Sequence, residues 1–175
     1  MPRTATDLLD YLSDSATALP KPFSADEMVA RLVSLHRQSG GATVNLYFGD
    51  MAGQNLYAVS LYPERSITLA GSRLSAADLR DYVQAVRPLL RDARNNIGTW
   101  YNRDMDETYL DVSTTLADKE NAIMMAAEYN QIAIYDLAGH LEIETGGTGE
   151  VTDNLFPLGE RLPKLIRGSG EHNNG

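Results

Sequence analysis

The sequence contains no cysteine and only three histidines among its 175 residues. The absence of cysteine excludes a disulfide framework, a thiolate zinc site and a cysteine nucleophile. His36, His140 and His172 do not have the i, i+4 spacing of metal ligands on a helix. No apolar run approaches the roughly 18 residues that a membrane-spanning helix needs. We therefore expect no metal, no cofactor and no membrane segment.

The composition nevertheless supports a hydrophobic core. Hydrophobic residues make up 43% of the sequence, which is too many for a disordered chain, and the length suits one domain. We predict a single domain over residues 1–167 and a polar, disordered tail over residues 168–175. The first residues lack the charged-then-apolar layout of a signal peptide, so we expect a cytoplasmic location.

Negative charge is concentrated in the second half of the chain. The formal net charge is −9, but residues 104–160 contain thirteen acidic residues and a single basic one, Lys119. Such a region repels the phosphates of nucleic acids and attracts basic proteins. The alternative is an acidic surface that only keeps the protein soluble. We therefore expect a protein partner and no direct binding of nucleic acid.

Four helices are predicted where apolar residues recur with a period of 3.6. They cover residues 8–19, 25–39, 76–86 and 119–129. The second helix has a complete start signal, because Ser24 and Glu27 form a capping box. Pro88 should end or kink the third helix near Val86, since proline disrupts a helix interior.

Strands are predicted where apolar and polar residues alternate or where short apolar runs lie between turn signals. They cover residues 43–48, 56–62, 66–70, 100–101, 108–113, 131–137 and 140–145. The first three should form an antiparallel meander, and residues 91–98 should be a polar connection. The strands come in groups that short loops can join into hairpins, and they do not alternate singly with helices. This order favours an α+β fold with a mainly antiparallel sheet and about four helices, two of them N-terminal.

The candidate binding surface combines acidic residues with tyrosines. Tyrosine suits interfaces because its ring is buried by the partner while its hydroxyl keeps a hydrogen bond. An acidic turn over residues 102–107 resembles the start of a calcium loop, but it lacks the required glycine and the final glutamate. The proposed surface residues are Asp104, Asp106, Glu107, Tyr109, Asp111, Glu142 and Glu144.

An enzymatic alternative comes from a few short motifs. The run Ser113-Thr114-Thr115, the pair Glu142 and Glu144, and an upstream arginine such as Arg65 resemble the residue types of arginine-specific ADP-ribosyltransferases. This resemblance implies a nucleotide-handling transferase that uses Ser113 and the glutamate pair. The same alternation of glutamates is also typical of the exposed face of an amphipathic strand.

A second resemblance covers residues 100–149, through the segments YLDVS, NQIAIYDL and TGGTG. This stretch is similar to an uncharacterised module of phage and mobile-element proteins from high-GC bacteria, which implies a bacterial host cell but no particular activity. The favoured interpretation is a non-catalytic, phage-encoded protein that binds a basic host or phage protein. The transferase and a structural virion component remain the alternatives.

Overall fold

The computed structural model describes residues 1–152 and 155–168. Within these residues, four α-helices and eight strands follow one another in groups. The helices are α1 (Leu8–Ser13), α2 (Ala25–Ser39), α3 (Ala76–Leu90) and α4 (Lys119–Glu128). The strands are β1 (Gly41–Asn45), β2 (Gly49–Asp50), β3 (Tyr57–Ser60), β4 (Ile67–Ala70), β5 (Asn95–Asn102), β6 (Glu107–Leu116), β7 (Ala133–Asp136) and β8 (Leu141–Glu144). The α+β prediction is confirmed.

All eight strands belong to one antiparallel sheet. Its order is β2-β1-β5-β6-β3-β7-β8, and β4 pairs with β6 as well. The longest pairing joins β5 to β6, from Asn95 opposite Thr114 to Asn102 opposite Glu107. The predicted meander of the first three strands is wrong, because β1 pairs with β5 while β3 lies between β6 and β7.

Three helices pack on one side of the sheet, which we call the helix face. Helix α2 lies against β1, α3 against β5, and α4 against β3 and β7. Side chains alternate along a strand, so Leu110 and Val112 of β6 point into this core. Val44 and Ile97 from the neighbouring strands are buried beside them. The other side of the sheet, the outer face, therefore carries the intervening residues.

A second, smaller cluster covers one end of the outer face. Tyr135 of β7 lies directly opposite Ala58 of β3 and shares the outer face with it. The Tyr135 ring packs with the buried side chains of Leu8 from α1 and of Leu56 and Leu137 from the loops. The open part of the outer face is consequently the end formed by the β5–β6 hairpin.

Local hydrogen bonds begin the longer helices as predicted. The Ser24 hydroxyl accepts from the backbone N–H of Glu27 at 3.1 Å, and the Glu27 carboxylate accepts from the backbone N–H of Ser24 at 3.2 Å. The side chains of Ser75 and Asp118 cap α3 and α4 by accepting from the backbone N–H groups of Asp78 and Asn121. Among the described residues, no helix is both long and apolar enough to span a bilayer.

Two element boundaries differ from the prediction because side chains of the loops compete for backbone groups. Helix α1 ends at Ser13 instead of residue 19, because the Asp14 carboxylate accepts from the backbone N–H of Ala16 at 2.9 Å. Strand β1 ends at Asn45 instead of residue 48, because the Asn45 amide oxygen accepts from the backbone N–H of Tyr47 at 2.9 Å. At both places the chain turns although the apolar pattern in the sequence continues.

Of the prediction for residues 86–98, two parts are wrong: α3 does not end near Val86, and the polar connection does not extend to residue 98. Helix α3 continues past Pro88 to Leu90, whose side chain is fully buried in the core. Strand β5 then begins at Asn95, inside the segment predicted to be a polar connection. Asn95 and Asn96 are buried, and their amides donate to backbone carbonyls of α3 and β6. Asparagine is typical of loops, so the start of this strand has the composition of a loop. In the strand the two asparagines are buried and their amides are hydrogen-bonded.

The C-terminal segment is tied to the rest of the fold by its arginines. Arg161 donates to the Leu61 carbonyl at 2.9 Å and forms an ion pair with Glu64. Gly168, the first residue of the predicted tail, donates its backbone N–H to a carbonyl of α1. Residues 169–175 lie outside the described residues.

Candidate functional site

The β5–β6 hairpin carries the most exposed aromatic surface on the sheet. Trp100 of β5 and Tyr109 of β6 are directly opposite each other on the outer face. Their ring centroids are 5.6 Å apart and their planes differ by 17°, so the rings are stacked. Trp100 is 52% exposed although it is a large aromatic residue in the middle of a strand. The two rings therefore face each other, and this stack, which we call the aromatic platform, is open to solvent along the half-exposed Trp100 ring.

Acidic residues surround one edge of this platform. The hydroxyl of Tyr109 donates to the Glu107 carboxylate at 3.0 Å, which brings that carboxylate beside the ring. Asp104 and Asp106 lie in the exposed turn that joins β5 to β6. Arg103 is the one basic residue of that turn. The local balance is therefore negative.

The conformation of the turn is held by its own side chains. The Asn102 amide oxygen accepts from the backbone N–H of Asp104 at 3.1 Å and from that of Met105 at 3.3 Å. Asp106 has φ 50°, and its carboxylate accepts from the Tyr101 hydroxyl at 2.7 Å. That hydrogen bond raises the pKa of the Tyr101 hydroxyl. The acidic turn therefore has a defined backbone path.

Asp111 lies further along β6, in the row of the sheet next to the aromatic platform. It is directly opposite Gly98 of β5, and a Cβ on Gly98 would overlap the Asp111 carboxylate. Burial raises the pKa of Asp111 to about 6, and a hydrogen bond from Ser60 acts in the opposite direction. Asp111 is therefore a half-buried carboxyl that packs where a side chain on β5 is missing.

Ser113 follows Asp111 on the same face of β6. It is only 6% exposed, and among the described residues its hydroxyl has no hydrogen-bond partner. Buried hydroxyls in folded proteins nearly always have a partner. Ser60 is opposite Ser113 on β3. The outer face next to Asp111 thus contains an unsatisfied polar group.

The remaining two predicted site residues lie at the far edge of the sheet. Glu142 and Glu144 are exposed on β8, the last strand of the sheet order. Glu142 is opposite Tyr135 of β7, so both glutamates share the outer face with the hairpin. The structure thus brings Asp104, Asp106, Glu107, Tyr109 and Asp111 together at one hairpin and leaves Glu142 and Glu144 apart from them.

The transferase alternative requires Ser113 to lie close to Glu142 and Glu144. Ser113 is on β6, and β3 and β7 separate that strand from β8. Three inter-strand spacings correspond to roughly 14 Å. Ser113 and the glutamate pair Glu142 and Glu144 therefore share a face of the sheet but do not meet in one site.

Metal-binding residues are not clustered in the described part of the chain. Residues 1–152 and 155–168 contain no group of three or more histidines, aspartates or glutamates that could hold a metal ion. His36 is buried and hydrogen-bonds with the Thr99 hydroxyl at 2.9 Å and with the Ser72 carbonyl at 3.2 Å. Burial lowers its pKa. His36 therefore has a packing role at the end of α2.

Sequence reasoning missed Trp100, Gly98 and Ser60 as members of this surface. Trp100 and Gly98 were missed because the first part of β5 was predicted to be a loop, so the alternation along the strand could not be followed. Counted from Asn96, every second residue of β5 lies on the outer face, and this places Gly98 and Trp100 side by side. Ser60 gave no signal, because its position depends on the pairing of β3 with β6.

No family model, no curated protein and no solved structure matches this chain. The assignment of a function therefore depends on the geometry of the outer face. We call the group formed by Trp100, Tyr109, Asp104, Asp106, Glu107 and Asp111 the hairpin surface.

Proposed function

We propose that this protein binds a basic partner protein through the hairpin surface. The single observation that carries the proposal is the exposed stack of Trp100 on Tyr109. Aromatic residues are enriched in the centres of protein interfaces and dominate their binding energy. About half of the Trp100 side chain lies outside the core, so its ring is available for contact with another molecule.

The charges around the stack support a basic partner. The Glu107 carboxylate lies beside the Tyr109 ring, Asp111 follows two residues along the same strand, and Asp104 and Asp106 lie in the adjoining turn. A cationic side chain above an aromatic ring gains about 0.5–1 kcal/mol at exposed sites and about 2 kcal/mol when water is excluded. Carboxylates at the edge of the ring add attraction and guide the approach of the partner.

The edge-strand acids Glu142 and Glu144 extend the same negative field over the outer face. Exposed charges of this kind contribute little to affinity individually, but together they raise association rates. The separation of Ser113 from these glutamates favours binding over the transferase alternative. We further propose that the encounter takes place in the cytoplasm of a bacterial host, in line with the expected phage or mobile-element origin.

The proposal is tested with the only tryptophan of the chain, Trp100, as the reporter. Nona-arginine is titrated into the full chain at low ionic strength while the emission of Trp100 is recorded. We expect a saturable change in intensity, because the cationic side chains contact the ring directly. The variant D104N/E107Q should weaken binding by roughly two- to twenty-fold, since exposed ionic contacts are worth about 0–1 kcal/mol each.

The matched control is E120Q/E128Q, which removes the same two charges from exposed positions on α4, on the helix face. This control should change the affinity by less than the hairpin variant does. Equal losses in the two variants would indicate an effect of net charge alone and would contradict the proposal. An emission spectrum of Trp100 that does not respond to the peptide would also contradict it.

A further inference from the structure

Asp111 differs from the other carboxylates of the hairpin surface in its surroundings. Asp104 and Asp106 are exposed in the turn, whereas Asp111 is half-buried against Gly98 and receives a hydrogen bond from Ser60. Ser113 and Tyr109 lie on either side of Asp111 on the same face of β6. Gly98, Ser60, Ser113 and Tyr109 are all uncharged at neutral pH. A charged group near them in the fold is Arg65, in the short 3-10 turn over residues 63–65 that contacts β6, and it forms no ion pair with Asp111.

The negative charge of Asp111 is not compensated within the described residues. The ion pairs there join Arg3 to Asp10, Arg80 to Asp26, Arg94 to Asp92 and Arg161 to Glu64. None of them involves Asp111, and burial raises the pKa of Asp111 to about 6. The carboxylate is consequently ionised at neutral pH at a cost to the folded state.

A neutral residue in this position would make the folded protein more stable than an ionised carboxyl group does. Carboxyl groups whose pKa is raised by burial are common at functional sites. The glycine at position 98 points in the same direction, since its φ angle is one that other residues adopt and the space that a Cβ would need is filled by the Asp111 carboxylate. A second, independent observation is that the buried hydroxyl of Ser113, beside Asp111 on the same face of β6, has no hydrogen-bond partner among the described residues.

We infer that Asp111 selects the partner's contact residue, and that this residue is an arginine whose guanidinium packs against the stack of Trp100 on Tyr109 while it pairs with the Asp111 carboxylate. This inference rests on the proposed function of the hairpin surface and names the chemistry that the surface recognises. Asp111 is here a specificity-determining residue, and the acidic turn attracts basic partners in general.

The layout of the sheet explains the preference for arginine over lysine. Tyr109 and Asp111 are two residues apart on one strand and point to the same face, so their Cα atoms are separated by roughly 7 Å. A guanidinium is planar and can stack on a ring while its fork of N–H donors points outward to a carboxylate. An ammonium group is a compact, strongly hydrated charge that does not stack and donate in this combined manner.

The experiment compares nona-arginine with nona-lysine, with Trp100 emission as the readout, for the wild type and three variants. D111N removes the charge and keeps the size of the side chain. G98A places a Cβ where the carboxylate lies and displaces it without changing the charge. E142Q is the control, because it removes one carboxylate from the same face at the far edge of the sheet. Circular dichroism and thermal unfolding confirm that each variant is folded.

We expect the wild type to bind nona-arginine several-fold more tightly than nona-lysine. D111N should lose roughly ten-fold or more in affinity for nona-arginine, as is typical when one partner of a shielded charge pair is truncated. Its preference for arginine over lysine should disappear, and G98A should show the same loss of preference. E142Q should keep the preference.

Two results would overturn the inference while the proposed function stands. One is binding of both peptides by D111N and G98A with wild-type affinity and preference. The other is an equal loss in D111N and E142Q, which would show that only the long-range field matters. If the wild type binds neither peptide, the proposed function itself fails and the inference fails with it.

Discussion

The carboxylate of Asp111 occupies the space that a side chain on Gly98 would need. The two residues are directly opposite each other on β6 and β5, and a Cβ on Gly98 would overlap Oδ1 of Asp111. A sheet face that is built only for stability would fill this position with two interlocking side chains. Here β5 has a glycine, and the half-buried carboxylate of Asp111 on β6 occupies the space, next to the exposed stack of Trp100 on Tyr109.

The first prediction concerns stability and pH. The pKa of Asp111 is raised in the folded protein from 3.8 to about 6, so the folded state holds this proton more tightly than the unfolded state. Its contribution to stability is fully present below pH 4 and is lost as the pH rises through 6. At pH 7.5 we expect Asp111→Asn to be more stable than the wild type by about 1–3 kcal/mol.

Urea unfolding at pH 7.5, 6 and 4.5 measures this difference. The advantage of Asp111→Asn should shrink steadily as the pH falls, because the wild-type carboxyl becomes protonated. A variant that is less stable than the wild type at pH 7.5 would contradict the interpretation of Asp111 as an uncompensated charge.

The second prediction concerns the steric relation between Gly98 and Asp111. Gly98→Ala should cost about 1–3 kcal/mol, since extra atoms in a packed site force side chains to move. In the background of Asp111→Ala the same change should cost much less, because the overlapping carboxylate is gone. A double-mutant cycle from unfolding free energies measures the coupling. Additive effects of the two substitutions would show that the Cβ meets something other than Asp111.

The third prediction concerns Arg161, which joins the C-terminal segment to the core. Its guanidinium donates to the carbonyls of Phe156 and Leu61 and pairs with Glu64. Arg161→Ala should destabilise the protein by about 2–4 kcal/mol, because it leaves buried carbonyls without donors. The exposed neighbour Lys164 provides the control, and Lys164→Ala should change the unfolding midpoint very little. Equal midpoints for the two variants would show that the segment is not held by Arg161.

The fourth prediction concerns the acids at the edge of the sheet. Glu142→Lys combined with Glu144→Lys should slow the association of nona-arginine by roughly two- to ten-fold at low salt, because long-range fields act mainly on association. Stopped-flow recording of Trp100 emission at two salt concentrations measures the rate and its salt dependence. The fold should be unchanged, since both side chains are exposed.

The matched control for this variant reverses Glu120 and Glu128 on the helix face, with the same change in net charge. The control should slow association less than the edge-strand variant. Equal slowing would mean that total charge, and not the outer face, guides the peptide.

The parts of the fold that could be predicted from the sequence depend on neighbours along the chain. The Ser24–Glu27 capping box was predicted correctly because both of its hydrogen bonds join residues three apart. The acidic turn of the β5–β6 hairpin was predicted for a similar reason, since Asn102 and the residues that follow it hold the turn. Helix α1 was predicted to be too long because its apolar period continues past Asp14, where side-chain hydrogen bonds turn the chain.

The pairing of strands could not be predicted in this way. Strand β3 pairs with β6 and β7, both more than 45 residues later in the chain, although a hairpin with β4 has the shorter loop. Which strands pair depends on the arrangement that buries the most apolar surface across the whole chain. The alternation of apolar and polar residues along each strand is the same in every arrangement, so it does not distinguish them. The buried asparagines of β5 added to the difficulty, because their partners lie on distant segments.

The sequence by itself determined the α+β class, the starts of α2, α3 and α4, and the concentration of acid near residues 104–111, because each of these follows from composition or from contacts within a few residues. Only the tertiary structure decided that Trp100 and Tyr109 stack on an open face, that Asp111 lies against Gly98, and that Glu142 and Glu144 lie three strands away. The physical reason is that strand order and register set which side chains share a face, and both arise from long-range packing.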